Sequence, residues 1–316
     1  VTRATAILVY HSGPERARRA LESLEAQDLA ELRVILVDHS PAGEGGKLAA
    51  RCTRVHHLRP ETNLGFGGGI VHALARDDAP VVLLLNPDAM AEPAWARRMT
   101  AALEDDRQAA MAAVRVRAAG GERLDSAGLA VTRGGMGILR GHGAPLHTPR
   151  ETLDRVPLLG PSGAAAAYRR NALDAIGGFP AVYFLYYEDL EVAWRLRRAG
   201  WGAAWVDEPL VTHDHVSEAG PEKLYYLQRA RRLFLLRNWP GAHPGGLTGR
   251  MEEAVSWARA ATRGRLSDAR RARLDADRLH LAHPSRPADA ERPVDPGWFA
   301  PVGEPFRSAV KRGRRP

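Results

Sequence analysis

The sequence has one cysteine, Cys52, among its 316 residues. A single thiol excludes an intramolecular disulfide, a cystine-stapled secreted scaffold and a thiolate zinc cluster. Long apolar runs are also missing, and no stretch of about 18 residues could span a bilayer. The segment from Val1 to Tyr10 has neither the basic region nor the extended apolar core of a secretion signal. These absences set the expectation of a cytoplasmic protein, soluble or peripheral at the inner face of the cell membrane. No internal repeat suggests a solenoid. The glycines complete neither a phosphate-binding loop ending in Gly-Lys-Ser/Thr nor a Gly-x-Gly-x-x-Gly turn after the first strand.

What is present is the balance of a folded chain, with 45% hydrophobic and 26% charged residues. The net charge of +8 is unevenly spread: residues 221–316 hold 20 Lys/Arg against 10 Asp/Glu, whereas residues 1–220 hold 25 against 27. A field of that sign attracts an anionic membrane surface, nucleic acid or an acidic partner. Nucleic acid is the weakest of these, because no aromatic-rich stacking platform accompanies the arginines.

Ala4 to Tyr10, Leu32 to Val37, Val55 to Leu58 and Val81 to Leu85 are short apolar or β-branched runs. Helical material separates them, including Arg16–Gln27 behind Pro14. This alternation predicts an α/β fold with a mainly parallel central sheet covered by helices. In such a sheet ligands bind at the carboxyl ends of the strands, where Asp38 and Asn86–Pro87–Asp88 fall. From Val114 to Val156, many glycines and short apolar stretches predict irregular strands and loops along one side of the ligand site. Beyond residue 220 the pattern is helical, with Lys223 to Arg237 as one helix and Glu252 to Ala282 as one or two more. The expected division is a catalytic domain over 1–220, a packed helical extension over 221–283 and a basic, Pro-containing tail over 284–316.

Four local signals bear on chemistry. Pro87 holds Asn86 and Asp88 close together at a strand end, where Asp88 could offer a hard oxygen to Mg²⁺ or Mn²⁺ and Asn86 could reach a ribose. The same three residues also make an ordinary turn. Glu188 and Asp189 stand at a helix entrance, as reactive carboxylates or simply as acids favoured at that end of a helix. His213–Asp214–His215 lacks the further ligands of a zinc site, so an auxiliary ligand in a carboxylate-based site fits better. Gly65–Phe66–Gly67–Gly68–Gly69 is either a phosphate-facing turn or a tight turn before a helix.

Taken in order, these signals join Val9–Tyr10–His11, Val37–Asp38–His39–Ser40, Asn63–Leu64–Gly65, Gly160–Pro161–Ser162–Gly163, Gly177–Gly178–Phe179, Tyr187–Glu188–Asp189, Arg195, Gly200–Trp201 and His213. In that series, over residues 4–237, the sequence resembles glycosyltransferase family 2, in particular its non-processive, rhamnosyltransferase-like branch. The resemblance implies a GT-A nucleotide-sugar-binding fold with a C-terminal helical extension. It implies inverting, metal-dependent transfer from a nucleoside-diphosphate sugar, such as dTDP-rhamnose or another dTDP-deoxysugar, to a hydroxyl of a glycan, lipid-linked or small-molecule acceptor. Asp189 would be the catalytic base, with Glu188, Arg195 and Trp201 at the acceptor site. Tyr10, His11, Asp38, Asn63, Gly65 and Asn86 would bind the nucleotide, and Asp88 with His213 would hold Mg²⁺ or Mn²⁺. Three positions depart from the pattern: Asn86 occupies its first acidic place, Ile70 follows the glycines where Asn is common, and Pro180 follows Gly-Gly-Phe in place of Asp. The alternatives are a nucleotidyltransferase or other nucleotide-sugar enzyme, and a non-enzymatic nucleic-acid-binding protein.

Overall fold

Continuous apolar runs suit strands that are covered on both faces. Those at Ala4–Tyr10, Leu32–Asp38 and Val81–Leu85 are strands buried at all or nearly all positions. The computed structural model of the chain describes residues 2–214, 222–239, 246–284 and 295–300; His215 and most of the expected tail lie outside the described residues. In chain order the elements are β1 (Ala4–Tyr10), α1 (Pro14–Glu25), β2 (Leu32–Asp38), α2 (Gly45–Ala49), β3 (Val55–Leu58), α3 (Gly65–Leu74), β4 (Val81–Leu85) and β5 (Ala89–Ala91). There follow α4 (Trp95–Asp105), β6 (Ala109–Ala118), β7 (Leu124–Ser126), β8 (Leu129–Val131), β9 (Gly137–Leu139), α5 (Arg150–Leu153), β10 (Ala165–Arg169) and α6 (Arg170–Ala175). The last are α7 (Glu188–Arg198), β11 (Gly202–His213), α8 (Lys223–Asn238), α9 (Gly246–Thr262) and α10 (Leu266–Ala282).

The main sheet has the order β3-β2-β1-β4-β10-β6-β11-β5, with β7 beside β6. Its β3, β2, β1 and β4 are parallel neighbours, as are β6 and β11. β10 runs antiparallel between β4 and β6, and β5 antiparallel beside β11. The sheet is therefore mixed but largely parallel, as an α/β chain of this pattern requires. β8 and β9 form a separate hairpin. Because β2 and β3 lie on one side of β1 and β4 on the other, the loops leaving β1 and β4 diverge and open a crevice at their carboxyl ends.

Each face of the sheet carries an apolar layer. Leu21 and Leu24 of α1 and Trp95 and Leu103 of α4 cover one face; Ile70, Leu173, Trp194 and Phe234 cover the other. Pro14 begins α1, where its fixed φ and missing N–H cost nothing. The glycine-rich region from 114 onward folds as the second half of β6, β7, the β8–β9 hairpin and the short α5.

The C-terminal helices are tied to this core by one buried cluster. Glu191 of α7 has no exposed surface. It accepts from Arg237 Nε and Nη2 at 3.0–3.1 Å, from Asn238 Nδ2 at 3.0 Å and from the Tyr183 hydroxyl. Phe234 meets Trp194 edge-on at 5.9 Å. α10 lies on α8 through Tyr225 Oη to Asp275 at 2.7 Å and Arg232 to Asp277 at 3.0 Å. The helix expected over Lys223–Arg237 is α8. The second helical stretch resolves into two helices, and α9 starts at Gly246, once the breakers Pro240 and Pro244 are passed.

Stripping one partner from a buried ion pair costs about 3–5 kcal/mol, a large fraction of the roughly 5–15 kcal/mol that stabilises a domain. A chain ended at residue 220 leaves Glu191 without Arg237 and Asn238. It is expected to lose cooperative thermal unfolding, as followed by near-ultraviolet circular dichroism. A well-folded 1–220 fragment would show instead that the helical extension is an independent unit.

Candidate active site

The crevice is a cleft of about 400 Å³. Val9 and His11 from the end of β1, His39 after β2, Asn63 and Gly65 at the start of α3, and Asn86, Pro87 and Asp88 after β4 form its walls. Phe66 of α3, Phe184, Leu185 and Tyr186, His213 at the end of β11, Glu222 just before α8, and Lys223 and Tyr226 of α8 complete it. Of the nucleotide-binding residues expected from sequence, His11, Asn63, Gly65 and Asn86 line this cleft, and so do both expected metal ligands.

His213 reaches Asp88 because β11 pairs antiparallel with β5, placing His213 opposite Ala89. Its Nε2 is 3.1 Å from Asp88 Oδ1, and its Nδ1 is 2.9 Å from Asp125 Oδ2. Burial opposes a charge on this imidazole, yet the hydrogen bonds and charges of Asp125 and Asp88 prevail and push its pKa up to about 9. Two donors held at 2.1 Å in adjacent octahedral positions stand about 3 Å apart, so the Asp88–His213 spacing fits one shared divalent ion in place of the Nε2 proton. Asp125 fixes the ring from its far nitrogen, the carboxylate–histidine arrangement that orients metal-binding imidazoles. It cannot share the same ion, and no group of three or more ligating side chains occurs among the described residues. Asp88 and His213 thus fit a metal completed by diphosphate oxygens and water, the usual way Mg²⁺ is held.

Asp38 is buried and spoken for: Oδ1 accepts from the Ser40 N–H at 2.9 Å, and Oδ2 accepts from the Gly45 N–H at 3.1 Å and faces His57 Nε2 at 3.1 Å. Although burial opposes ionisation, the hydrogen bonds from Ser40 and His57 lower its pKa. It shapes the loop after β2 and is not among the lining residues; Tyr10 is likewise buried, with its hydroxyl on Glu44. His39, which sequence reasoning passed over, lines the cleft with its pKa driven down to about 4 by burial and by the neighbouring His11. Asn63 Oδ1 accepts the Gly65 N–H at 2.9 Å, a local turn. Gly65 has φ +71°, and a Cβ there would lie 2.2 Å from the Phe184 carbonyl oxygen. The glycine run therefore lets α3 approach the 180–184 loop, whose Phe184 carbonyl also accepts the Phe66 N–H at 2.7 Å.

Phe184, Tyr186 and Tyr187 all have left-handed φ, between 62° and 74°. Such backbone costs roughly 1–3 kcal/mol per residue and persists only where surroundings impose it. Here Phe184 stacks on Tyr226 at 5.8 Å, the Tyr187 hydroxyl accepts the Gly137 N–H at 3.1 Å, and Arg229 donates to the Tyr183 carbonyl. This loop delivers Glu188 and Asp189 to the start of α7. Asp189 is not among the cleft-lining residues; its Oδ2 and the ring of Phe66, which does line the cleft, each stand 3.3 Å from where a Cβ on Gly163 would be, and Oδ2 accepts the Gly163 N–H and Oδ1 the Leu190 N–H, each at 2.8 Å. Each oxygen retains capacity for another hydrogen bond, and burial raises its pKa. Glu188 points into the interior beside Gly67; burial and the Asp189 charge push its pKa up to about 8. Arg195 and Trp201, expected at the acceptor site, stand at the other end of α7 and just past it, outside the lining residues.

A parallel βαβ half that ends in the Asp88 carboxylate, met by an imidazole from the last strand of a mixed sheet, is the architecture of a GT-A fold. Residues 5–177 match glycosyl transferase family 2, and the chain belongs to that family. It is a glycosyltransferase, moving a sugar from a nucleoside-diphosphate sugar. Among curated relatives, the N-acetylglucosaminyl-diphospho-decaprenol L-rhamnosyltransferase of Mycobacterium tuberculosis is 28% identical over 244 residues, covering 70% of this chain and 78% of the relative. The O-antigen chain rhamnosyltransferase WbaN of Salmonella anatum is 25% identical over 219 residues, covering 65% and 64%. The mannosyltransferase of Pyrobaculum calidifontis, solved with GDP-Man and Mn²⁺, shares the fold at TM-score 0.53 and 16% identity, covering 99% of this chain and 81% of that one. GalNAc-T7, solved with UDP, GalNAc and Mn²⁺, shares it at TM-score 0.57 and 15% identity, covering 80% and 53%.

The Glu188 carboxyl gives a test by pH. Its folded pKa of about 8 lies above the ordinary 4.5, so between those values the folded chain keeps a proton that the unfolded chain releases. Stability is then expected to fall as pH rises through that window, by at most about 1.4 kcal/mol per unit. Glu188→Gln should flatten this slope in urea unfolding between pH 5 and 8; an unchanged slope would place the titrating group elsewhere.

Proposed function

We propose that the chain is an inverting, metal-dependent glycosyltransferase whose donor is a dTDP-deoxysugar such as dTDP-rhamnose and whose acceptor group is a hydroxyl. The observation that carries this reading is the Asp88–His213 pair at 3.1 Å in the cleft; Asp189 is held on the Gly163 amide, close to Phe66 of the cleft lining. The names of the two curated relatives, both rhamnosyltransferases, support the deoxysugar donor.

A divalent ion held by Asp88 and His213 would neutralise charge gathering on the departing diphosphate. Asn63, Asn86 and His11 line the part of the cleft in which the nucleotide would be held. His39, uncharged at neutral pH, offers a ring nitrogen without adding a cation. Asp189 takes the proton of the attacking hydroxyl; its raised pKa makes it a stronger base than a solvated aspartate. The Gly163 and Leu190 amides hold that carboxylate still while leaving it lone pairs for the acceptor. Attack from one face with no protein nucleophile inverts the anomeric centre. Glu188, buried and protonated at neutral pH, would act as a neutral partner supporting Asp189. Residues 1–220 with α8 make up the catalytic unit in this reading, since Lys223 and Tyr226 line the cleft.

Asp189→Asn keeps the size of the side chain and removes its basicity. It is expected to retain the fold and donor affinity while lowering turnover by about 100-fold or more, with KM for donor little changed. Near wild-type transfer by this variant would remove Asp189 from the role. Release of pyrophosphate in place of a nucleoside diphosphate would indicate nucleotidyl transfer, and retention of anomeric configuration would defeat the single displacement.

A further inference from the structure

Six large hydrophobic side chains are exposed among the described residues, and five of them lie on α9 and α10. On α9, Leu247 (75% exposed) and Met251 (58%) continue into exposed Ala254, Ala258 and Ala261. The spacing of four, three, four and three residues puts all five on one helical stripe. The opposite side is the one that meets the protein: Glu252 and Ala260 are buried, and Glu252 accepts from Thr132 Oγ1 at 2.8 Å. α10 repeats the arrangement. Ala269, Ala272 and Ala276 are buried, while Leu274 (58%) and Leu281 (80%) share the outer stripe with Arg270. A surface helix normally turns its apolar side inward; these two also carry apolar side chains outward.

Charge decides what covers them. Residues 246–282, which form these two helices and their joint, hold eight Lys/Arg against five Asp/Glu. Arg250, Arg263 and Arg270 are exposed on or beside these helices and make no ion pair with a carboxylate among the described residues. A second copy of this face would set arginines against arginines. The chain's own residues 301–316, with five Lys/Arg and one Glu, are repelled for the same reason. Nucleic acid would satisfy the charges and leave the leucines and Met251 in water. An anionic lipid bilayer satisfies both, because apolar side chains sink to the acyl boundary while arginines stay level with the headgroup phosphates. We propose that the outer face of α9 and α10 is a docking surface for an anionic bilayer. The inference is independent of donor and acceptor. Since α8 supports α10 and also lines the cleft, docking would hold the cleft at a set attitude to the lipid surface.

Co-sedimentation of the full chain with vesicles tests this. Vesicles containing one-third phosphatidylglycerol are expected to bind it about tenfold or more better than pure phosphatidylcholine, with binding weakened by salt. Leu247→Asp combined with Met251→Asp is expected to lower that partition about tenfold, with unchanged thermal midpoint and unchanged donor hydrolysis. Leu274→Asp with Leu281→Asp serves as a second variant on the neighbouring helix. Equal partition to both vesicle types overturns the proposal, as does full binding by both variants. So does binding to an oligonucleotide but not to vesicles, or a dimer that Met251→Asp dissolves in a chain that ignores vesicles.

Discussion

The cleft depends on one buried contact, the imidazole of His213 held between Asp125 and Asp88. Each of the three belongs to a different strand: Asp88 follows β4, Asp125 lies in β7 and His213 ends β11. None of the strands could shift in register without breaking it, because a slip of one residue turns a strand's side chains to the other face. The contact therefore joins the parallel half of the sheet to its mixed half at the cleft. It also keeps Asp88 and one imidazole nitrogen at the spacing that a single hard cation requires.

A second constraint acts from the far side. Glu191 and Arg237 lock α8 to α7, and α8 in turn supplies Tyr226, Arg229 and Phe234 to the strained 184–187 loop. Energy stored in three left-handed residues is offset by this packing, and the result is a fixed direction of entry for Asp189. α8 thus lines the cleft as well as covering the sheet, so the walls of the cleft extend past residue 220.

Much of this was legible in the residues. Strand-end position and the Pro87 turn pointed to Asp88, because the carboxyl edge of an α/β sheet is where polar groups can be presented, and the His213–Asp214–His215 cluster, too poor in ligands for zinc, pointed to His213 as an auxiliary partner. Asp125 was not legible: β7 is three residues long in a glycine-rich stretch, and His213, which Asp125 holds, is 88 residues away. β6 and β10 were hidden for another reason, since Ala109–Ala113 and Ala165–Ala167 are alanine runs whose intrinsic preference is helical and whose strand geometry comes from their neighbours. Motif order placed Asp38, Arg195 and Trp201 at the site; none of the three lines the cleft, since a motif records position along the chain and not the direction of a side chain. Asp38 turns inward to its own loop, and α7 carries Arg195 about 9 Å of helix rise beyond Asp189.

The measurement that bears most directly on the account is uptake of Mn²⁺, followed by the electron paramagnetic resonance signal of the free ion, as dTDP is titrated into the full chain. With two protein ligands, tight uptake is expected only when the diphosphate is present to complete the coordination sphere. Asp88→Ala is expected to weaken it by about tenfold or more, and His213→Ala by less, with the folded state of both verified by thermal unfolding. Uptake of Mn²⁺ at wild-type strength by both variants, or dTDP affinity that ignores the metal altogether, would contradict the site as it is described.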